Sequence, residues 1–243
     1  MRRPLPSTAW LLTLLAVGGA LGCAHQTTAV AIGPSQHFRA EATRIGGVGG
    51  VKFEDDFIEA RLANRPDRVA DLTLAELRAV TLTSGARIPT LEEALEACGP
   101  TMLVNIELKT RGYGGGPIGP LVDRVAAIVD RTGCAARVLV SSFHPRAVWS
   151  WMRRAPSVPA GLLFEAASPL PLRAAWAHRW LRPRALHPEA ALCTPPALRR
   201  WHALGYLVNV WTVDEPPVLR ALAEMGVDGI ITNDPARTRG ILV

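Results

Sequence analysis

Apolar runs alternate with amphipathic stretches from residue 101 to the C-terminus. The apolar runs, rich in β-branched residues, cover 101–109, 136–143, 158–165, 183–188, 206–213 and 227–233. The stretches between them have helical periodicity and cover 117–132, 144–154, 170–181, 194–204 and 215–225. This alternation predicts βαβ units and a parallel sheet. Each unit takes roughly 24 residues, which is the spacing of a compact (β/α)₈ barrel.

The first third of the chain has a weaker pattern. Short strands are predicted at 28–32 and 48–54, and helices at 72–80 and 90–97. Thr73, with Glu76 three residues later, forms a capping box for the first helix. Two strands here and six later make eight. We therefore predict an α/β fold, a (β/α)₈ TIM-type barrel spanning residues 24–243, incomplete or irregular over its first two strands.

Residues 1–23 have the features of an export segment. Arg2 and Arg3 precede an apolar run at 10–21 that ends in small residues. Cys23 follows Ala-Leu-Gly, which is similar to a bacterial lipoprotein processing site. We expect lipidation of Cys23 and an exported protein, periplasmic or anchored to a membrane by its N-terminal lipid. Plain cleavage and a retained anchor are the alternatives.

Composition excludes several classes of protein. Hydrophobic residues make up 49% of the chain and charged residues 20%, which excludes a disordered tail or a collagen-like fibre. The net charge is +6, but the arginines are scattered along the chain and no nucleic-acid motif occurs, so we predict no nucleic-acid partner. Cys98, Cys134 and Cys193 lack the Cys-x-x-Cys spacing of a zinc site. Two of them could pair, or all three could be buried thiols.

The strand at 101–109 carries the clearest chemical signal. Because a strand alternates faces, Asn105, Glu107 and Lys109 share one side. A barrel interior is normally filled by Val, Ile and Leu, so three successive polar groups near a strand's C-terminal end indicate an active site. A carboxylate there can bind a hard cation, and an ammonium can bind phosphate oxygen. The alternative is a structural Glu–Lys ion pair.

Six ordered segments of the chain resemble the glycerophosphodiester phosphodiesterase family, a set of metal-dependent (β/α)₈ barrels. These segments are 69–77, 88–95, 105–109, 140–143, 211–213 and 226–235. The resemblance implies a Ca²⁺- or Mg²⁺-dependent hydrolase acting on a small-molecule phosphodiester or lipid headgroup. It also implies that Glu107 binds the metal, that Lys109 lines the phosphate site and acts in catalysis, and that Trp211 contacts substrate at the rim.

The departures from the family pattern fall on its catalytic groups. The family's His-Arg-Gly and His-Asp motifs, which supply its acid and base, are missing, and His25 is the nearest match to the first histidine. In the segment that resembles the family's Glu-x-Asp, Lys52 replaces the glutamate and Glu54 the aspartate. We therefore predict His25 as a catalytic residue and Glu54 as a metal ligand, with Asp55 or Asp56 as the alternative ligand in a shifted alignment. His37 and His144 are alternative bases.

Two further hypotheses follow from these departures. The chain could be a catalytically inactive relative that binds a phosphodiester or has a structural role in the envelope. A shifted reading frame over residues 24–66 would also explain why the resemblance begins abruptly near Val69.

Overall fold

A computed structural model gives the fold of the chain. It describes residues 11–17, 23–24, 30–31, 73–80, 89–100, 102–110 and 118–242. The predicted strand at 48–54 lies outside these residues.

The described strands form one curled sheet. They are β1 Leu11–Val17, β2 Cys23–Ala24, β3 Val30–Ala31, β4 Leu103–Lys109, β5 Val138–Ser142, β6 Ala160–Phe164, β7 Ala185–Pro188, β8 Leu207–Val210 and β9 Gly229–Ile230. Their spatial order is β2-β1-β4-β5-β6-β7-β8-β9-β3. The strands from β4 to β9 are parallel neighbours in chain order, as βαβ units require.

Helices connect successive strands and cover the outside of the sheet. They are α1 Leu74–Ala79, α2 Leu91–Ala97, α3 Ile118–Thr132, α4 Pro145–Arg154, α5 Leu170–Arg173, α6 His178–Leu181, α7 Pro195–Ala203, α8 Pro216–Met225 and α9 Pro235–Leu242. Capping boxes begin α1 at Thr73 and α2 at Thr90. Proline at the first turn begins α4, α7 and α8, where its missing N–H costs nothing. No helix in this described part is both long and apolar enough to cross a membrane.

The hydrophobic core lies between the sheet and the helices. Val104, Ile106 and Leu108 of β4 point outward into it, as alternation predicts. From α4, Trp151 is completely buried in the same core. The residues that alternate with these, Asn105 and Glu107 among them, therefore line the inner face of the curl.

The six predicted strands after residue 101 are confirmed, as are the helices at 72–80 and 90–97. The single helix expected over 170–181 is wrong. The chain breaks there into α5 and α6, with Ala175 between them at φ 51°. Arg182 ends α6 in the same left-handed region.

The first strands also differ from expectation. The strand expected at 28–32 is only Val30–Ala31, and it runs antiparallel to β9. A regular barrel strand would be parallel. Instead, Leu11–Val17 of the predicted export segment runs parallel to β4 along its whole length. The described residues therefore establish an α/β fold with a curled parallel sheet. They do not show the eight parallel strands of the predicted barrel.

Candidate active site at the C-terminal ends of the strands

Strand β4 places the predicted site residues on the inner face of the sheet. Asn105 and Glu107 are buried, at 0% and 7% exposure. Lys109 is the last residue of β4 and is half-buried. In a parallel sheet with helical connections, the C-terminal edge is where ligands bind. Lys109 thus stands at the mouth of the curl with Glu107 one step deeper.

A buried serine links the end of β5 to β4 at this edge. Ser141 pairs in register with Glu107. The hydroxyl of Ser142 donates to the Leu108 carbonyl at 2.7 Å and accepts from the His144 amide at 3.1 Å. His144 is buried at the start of α4, where its Nδ1 accepts from the Arg146 amide. The candidate base His144 therefore caps helix α4 through its Nδ1.

An aromatic pair joins the ends of β5 and β8 across the mouth. Phe143 and Trp211 meet edge to face, with ring centroids 5.2 Å apart and planes at 87°. The indole Nε1 of Trp211 donates to the His187 carbonyl at 2.7 Å. Two contacts thus fix the orientation of this half-buried ring. The predicted rim residue stands at the mouth.

Below the aromatic pair, the interior holds a buried polar layer. His187 is completely buried, and Asn209 Nδ2 lies 3.1 Å from its Nε2. Burial lowers the pKa of His187 to about 3, so the ring is neutral and Nε2 accepts from the amide. A Cβ on Gly161 would lie 2.7 Å from His187 Nε2, and one on Gly229 would lie 2.4 Å from Asn209 Oδ1. Glycine at both places makes room for the two large side chains.

Two carboxylates fix the loops after the later strands. Glu189 accepts from the Ala166 amide at 2.7 Å and joins the ends of β6 and β7. Asp214 accepts from the Thr232 hydroxyl at 2.8 Å and from both the amide and the side chain of Asn233. Both carboxylates are used in building the rim. Sequence reasoning missed them, although each is the first residue after a predicted strand.

The described residues alone do not assemble a metal site. No group of three His, Cys, Asp or Glu residues that could hold an ion occurs among them. Glu107 is the only predicted ligand within that part of the chain, and further ligands would have to come from elsewhere. The other predicted ligand, Glu54, lies outside the described residues, as does the predicted catalytic residue His25.

Among the residues that the structure describes, the other histidines and the three buried cysteines lie away from the inner face of β4. His178 is buried against Tyr206 on the outer layer, with its Nδ1 3.1 Å from the phenol oxygen, and His202 contacts Asp228 at 2.7 Å. Cys98, Cys134 and Cys193 are buried thiols. Burial raises the pKa of Cys98 and of Cys193 to about 11, so both stay protonated at neutral pH. For Cys23 the structure describes only the backbone.

Comparison with known proteins identifies the family. The model of the glycerophosphoryl diester phosphodiesterase family matches residues 53–237. A Mycobacterium tuberculosis protein named "Probable glycerophosphodiester phosphodiesterase 2" is 35% identical over 181 residues, which cover 69% of this chain and 65% of that protein. The chain thus spans less than two thirds of that relative's length.

A second relative and a solved structure agree with this. The glycerophosphodiester phosphodiesterase of Caldanaerobacter subterraneus is 31% identical over 196 residues, 76% of each chain. An Oleispira antarctica phosphodiesterase, solved with the product sn-glycerol-3-phosphate, superposes with a TM-score of 0.70 over 96% of this chain and 85% of that one. At 18% identity that superposition concerns the fold alone.

Proposed function

This chain belongs to the glycerophosphoryl diester phosphodiesterase family, and from that premise we propose that it hydrolyses glycerophosphodiesters. The products would be sn-glycerol 3-phosphate and the alcohol of the headgroup. Water attacks phosphorus, the bond from phosphorus to the alcohol oxygen breaks, and the alcohol leaves with a proton.

The observation that carries the proposal is the placement of Glu107 and Lys109 on one inner face at the end of β4. Lys109 can donate to a non-bridging phosphate oxygen and stabilise the charge that develops there in the transition state. Its half-buried position makes this interaction stronger than it would be in water. Trp211, held by the His187 carbonyl and Phe143, offers a rigid apolar surface to the substrate.

We also propose that hydrolysis requires a divalent cation, Ca²⁺ or Mg²⁺. Glu107 would hold it together with Glu54, because hard cations take carboxylate oxygens. The resemblance in the sequence supports this proposal. His25 is the residue that we propose as acid or base.

Two features of the sequence favour a second candidate, an inactive relative that binds phosphodiesters. Lys52 stands where the family has a metal-binding glutamate, and the chain has no His-Arg-Gly. A protonated lysine cannot ligate a cation and would repel it. Loss of both acid–base histidines would cost about 10²–10⁴-fold for each step that they assist.

The decisive experiment is an assay of glycerol 3-phosphate release by the full-length chain. Glycerophosphocholine is supplied with Ca²⁺, with Mg²⁺ or with EDTA. We expect metal-dependent turnover that Glu107→Gln lowers by about a hundredfold or more. Glu224→Gln, at an exposed position of α8, is the matched control and should retain full activity. An active Glu107→Gln protein would remove this site assignment, and a folded wild type without turnover would favour the inactive relative.

We further propose that the protein is exported and lipidated at Cys23. The basic residues Arg2 and Arg3, the apolar run that follows them and the small residues before Cys23 support this. The lipid would hold the protein at a membrane, close to phosphodiesters derived from lipid headgroups.

A further inference from the structure

Basic residues occur along the whole chain, but one stretch of sequence has a large net positive charge because acidic residues are scarce there. Residues 144–188 contain seven arginines and a single acidic residue, Glu165, which gives a net charge of +6. The whole chain also has a net charge of +6. The rest of the chain therefore carries equal numbers of basic and acidic residues.

Large apolar side chains are exposed in the same stretch. Trp149, Leu170, Trp176 and Trp180 are 48%, 55%, 53% and 62% exposed. Elsewhere in the described part of the chain, the large apolar side chains exposed to this degree are Leu204 and Val218. Three exposed tryptophans in one stretch are unusual, because each leaves a large apolar surface in water.

The exposed side chains come from elements that neighbour one another in the fold. Helix α4 packs against α6. Ala175, Ala177 and Leu181 are buried and anchor residues 170–181 to the core, and His178 is buried as well. Between these buried positions, Trp176, Arg179 and Trp180 are exposed. We call the exposed side chains of α4 and of residues 170–181 the Trp–Arg face.

Arginines surround the tryptophans on this face. The Arg153 guanidinium lies 5.0 Å above the Trp149 ring, a cation–π contact that holds both side chains outward. Arg173 and Arg179 are exposed beside Trp176 and Trp180 in sequence. No acidic residue occurs in α4 or in residues 170–181. Arg154 of α4 is paired with Asp123 and Asp130 of α3, so the charge of the face comes from its other arginines.

We propose that the Trp–Arg face binds the surface of an anionic lipid bilayer. Indole rings favour the boundary between headgroups and acyl chains, and arginines bind lipid phosphates in two-pronged hydrogen bonds. A second copy of the chain is a poor occupant, because a two-fold contact would place the arginines of one face against those of the other. An acidic bilayer complements both the charge and the apolar rings.

The proposal does not depend on hydrolysis or on lipidation. It concerns the outer helices, and binding can be measured without substrate. The full-length chain carrying Cys23→Ser cannot be lipidated at that residue. It is mixed with vesicles of phosphatidylcholine alone or of phosphatidylcholine with phosphatidylglycerol, and bound protein is measured by sedimentation. We expect binding to the anionic vesicles, and weaker binding at high salt because the charges are screened.

Two sets of variants in this background test the two components of the face. The first replaces the three tryptophans: Trp149→Ala, Trp176→Ala and Trp180→Ala. Its matched control is Leu204→Ala with Val218→Ala, which removes exposed apolar side chains elsewhere. We expect the tryptophan variant to bind at least about tenfold more weakly and the control to bind as the parent does.

The second set reverses charge: Arg153→Glu, Arg173→Glu and Arg179→Glu. Its matched control reverses three exposed arginines on α8 and α9: Arg220→Glu, Arg237→Glu and Arg239→Glu. Each arginine lost near the bilayer should weaken binding about fivefold, and the three together about a hundredfold or more. The control should weaken binding much less, because its arginines lie off the face.

Three results would overturn the proposal. The first is a protein shown by circular dichroism to be folded that does not bind anionic vesicles at low salt. The second is binding that both face variants retain. The third is a dimer in light scattering that the tryptophan variant dissociates, without vesicle binding, since the occupant would then be a second copy.

Discussion

His187 is buried in the polar layer inside the sheet. The dependence of the free energy of unfolding on acid pH therefore tests that burial. The pKa of His187 falls from 6.5 to about 3 because the ring is completely buried. Between these values the unfolded chain binds a proton that the folded chain excludes. Stability from this source is therefore complete above pH 6.5 and declines as the pH falls towards 3, by up to about 1.4 kcal/mol per pH unit.

We expect His187→Gln to flatten this decline, since Gln keeps an acceptor for Asn209 and has no titrating group. The measurement is urea unfolding at several pH values between 4 and 7. His202→Gln, which removes a partly exposed imidazole, is the matched control. An unchanged slope in His187→Gln would mean that the ring is accessible to protons in the folded protein.

Among single residues, those that could be predicted from the sequence are the polar ones that interrupt an apolar strand. Asn105, Glu107 and Lys109 share a face because alternation along a strand is strict. The pairing of His187 with Asn209 could not be predicted, because it depends on the register between β7 and β8. The same holds for Phe143 and Trp211, which lie 68 residues apart and meet only when the sheet curls.

At the scale of elements, Arg137, in the turn before β5, bonds to both α2 and the residue before β4. The Arg137 guanidinium donates to the Leu95 carbonyl at 2.9 Å, in the last turn of α2, and to the Met102 carbonyl at 3.2 Å, just before β4. Cations at a helix C-terminus complement its dipole. This one side chain thus links the end of α2 to the residue before β4, the strand that carries Glu107 and Lys109.

We expect Arg137→Met to destabilise the fold by about 1.5–3 kcal/mol, because two carbonyls lose a charged donor in a half-buried place. Arg131→Met removes an exposed contact with Glu92 and should cost less than about 0.5 kcal/mol. Urea denaturation of both variants measures the difference. Equal losses would show that the half-buried contact contributes no more than the surface pair.

The elements from residue 101 onward could be predicted because each combines an apolar run with clear end signals. Proline marks the first turn of α4, α7 and α8, and Gly226 ends α8 at φ 80°. The break between α5 and α6 gave no such signal. Ala175 adopts φ 51° there although alanine favours helix, so packing of the buried methyl group overrides local preference.

For the whole molecule, residues 11–17 combine two features, the apolar character of an export signal and a place as strand β1 in the sheet. Residues 11–17 are apolar enough for an export signal and also form β1. There they pair with β4 from Leu11 opposite Leu103 to Val17 opposite Lys109. Sequence reasoning assigned them to export alone, because periodicity cannot distinguish a buried strand from a short apolar signal. Processing at Cys23 would remove β1 from the sheet and expose an edge of β4.

The export proposal therefore has a consequence for stability that can be measured. We expect the mature protein from its native membrane fraction to begin at a lipid-modified Cys23, as determined by mass spectrometry. The chain starting at Cys23 should then unfold at a lower temperature than the full-length chain. A lost seven-residue ladder worth about 3 kcal/mol corresponds to roughly 6–12 °C. A mature protein that retains residues 1–22 would contradict export by cleavage and leave β1 as the first strand. Equal melting temperatures would show that β4 needs no neighbour on that side to hold Glu107 and Lys109 in place.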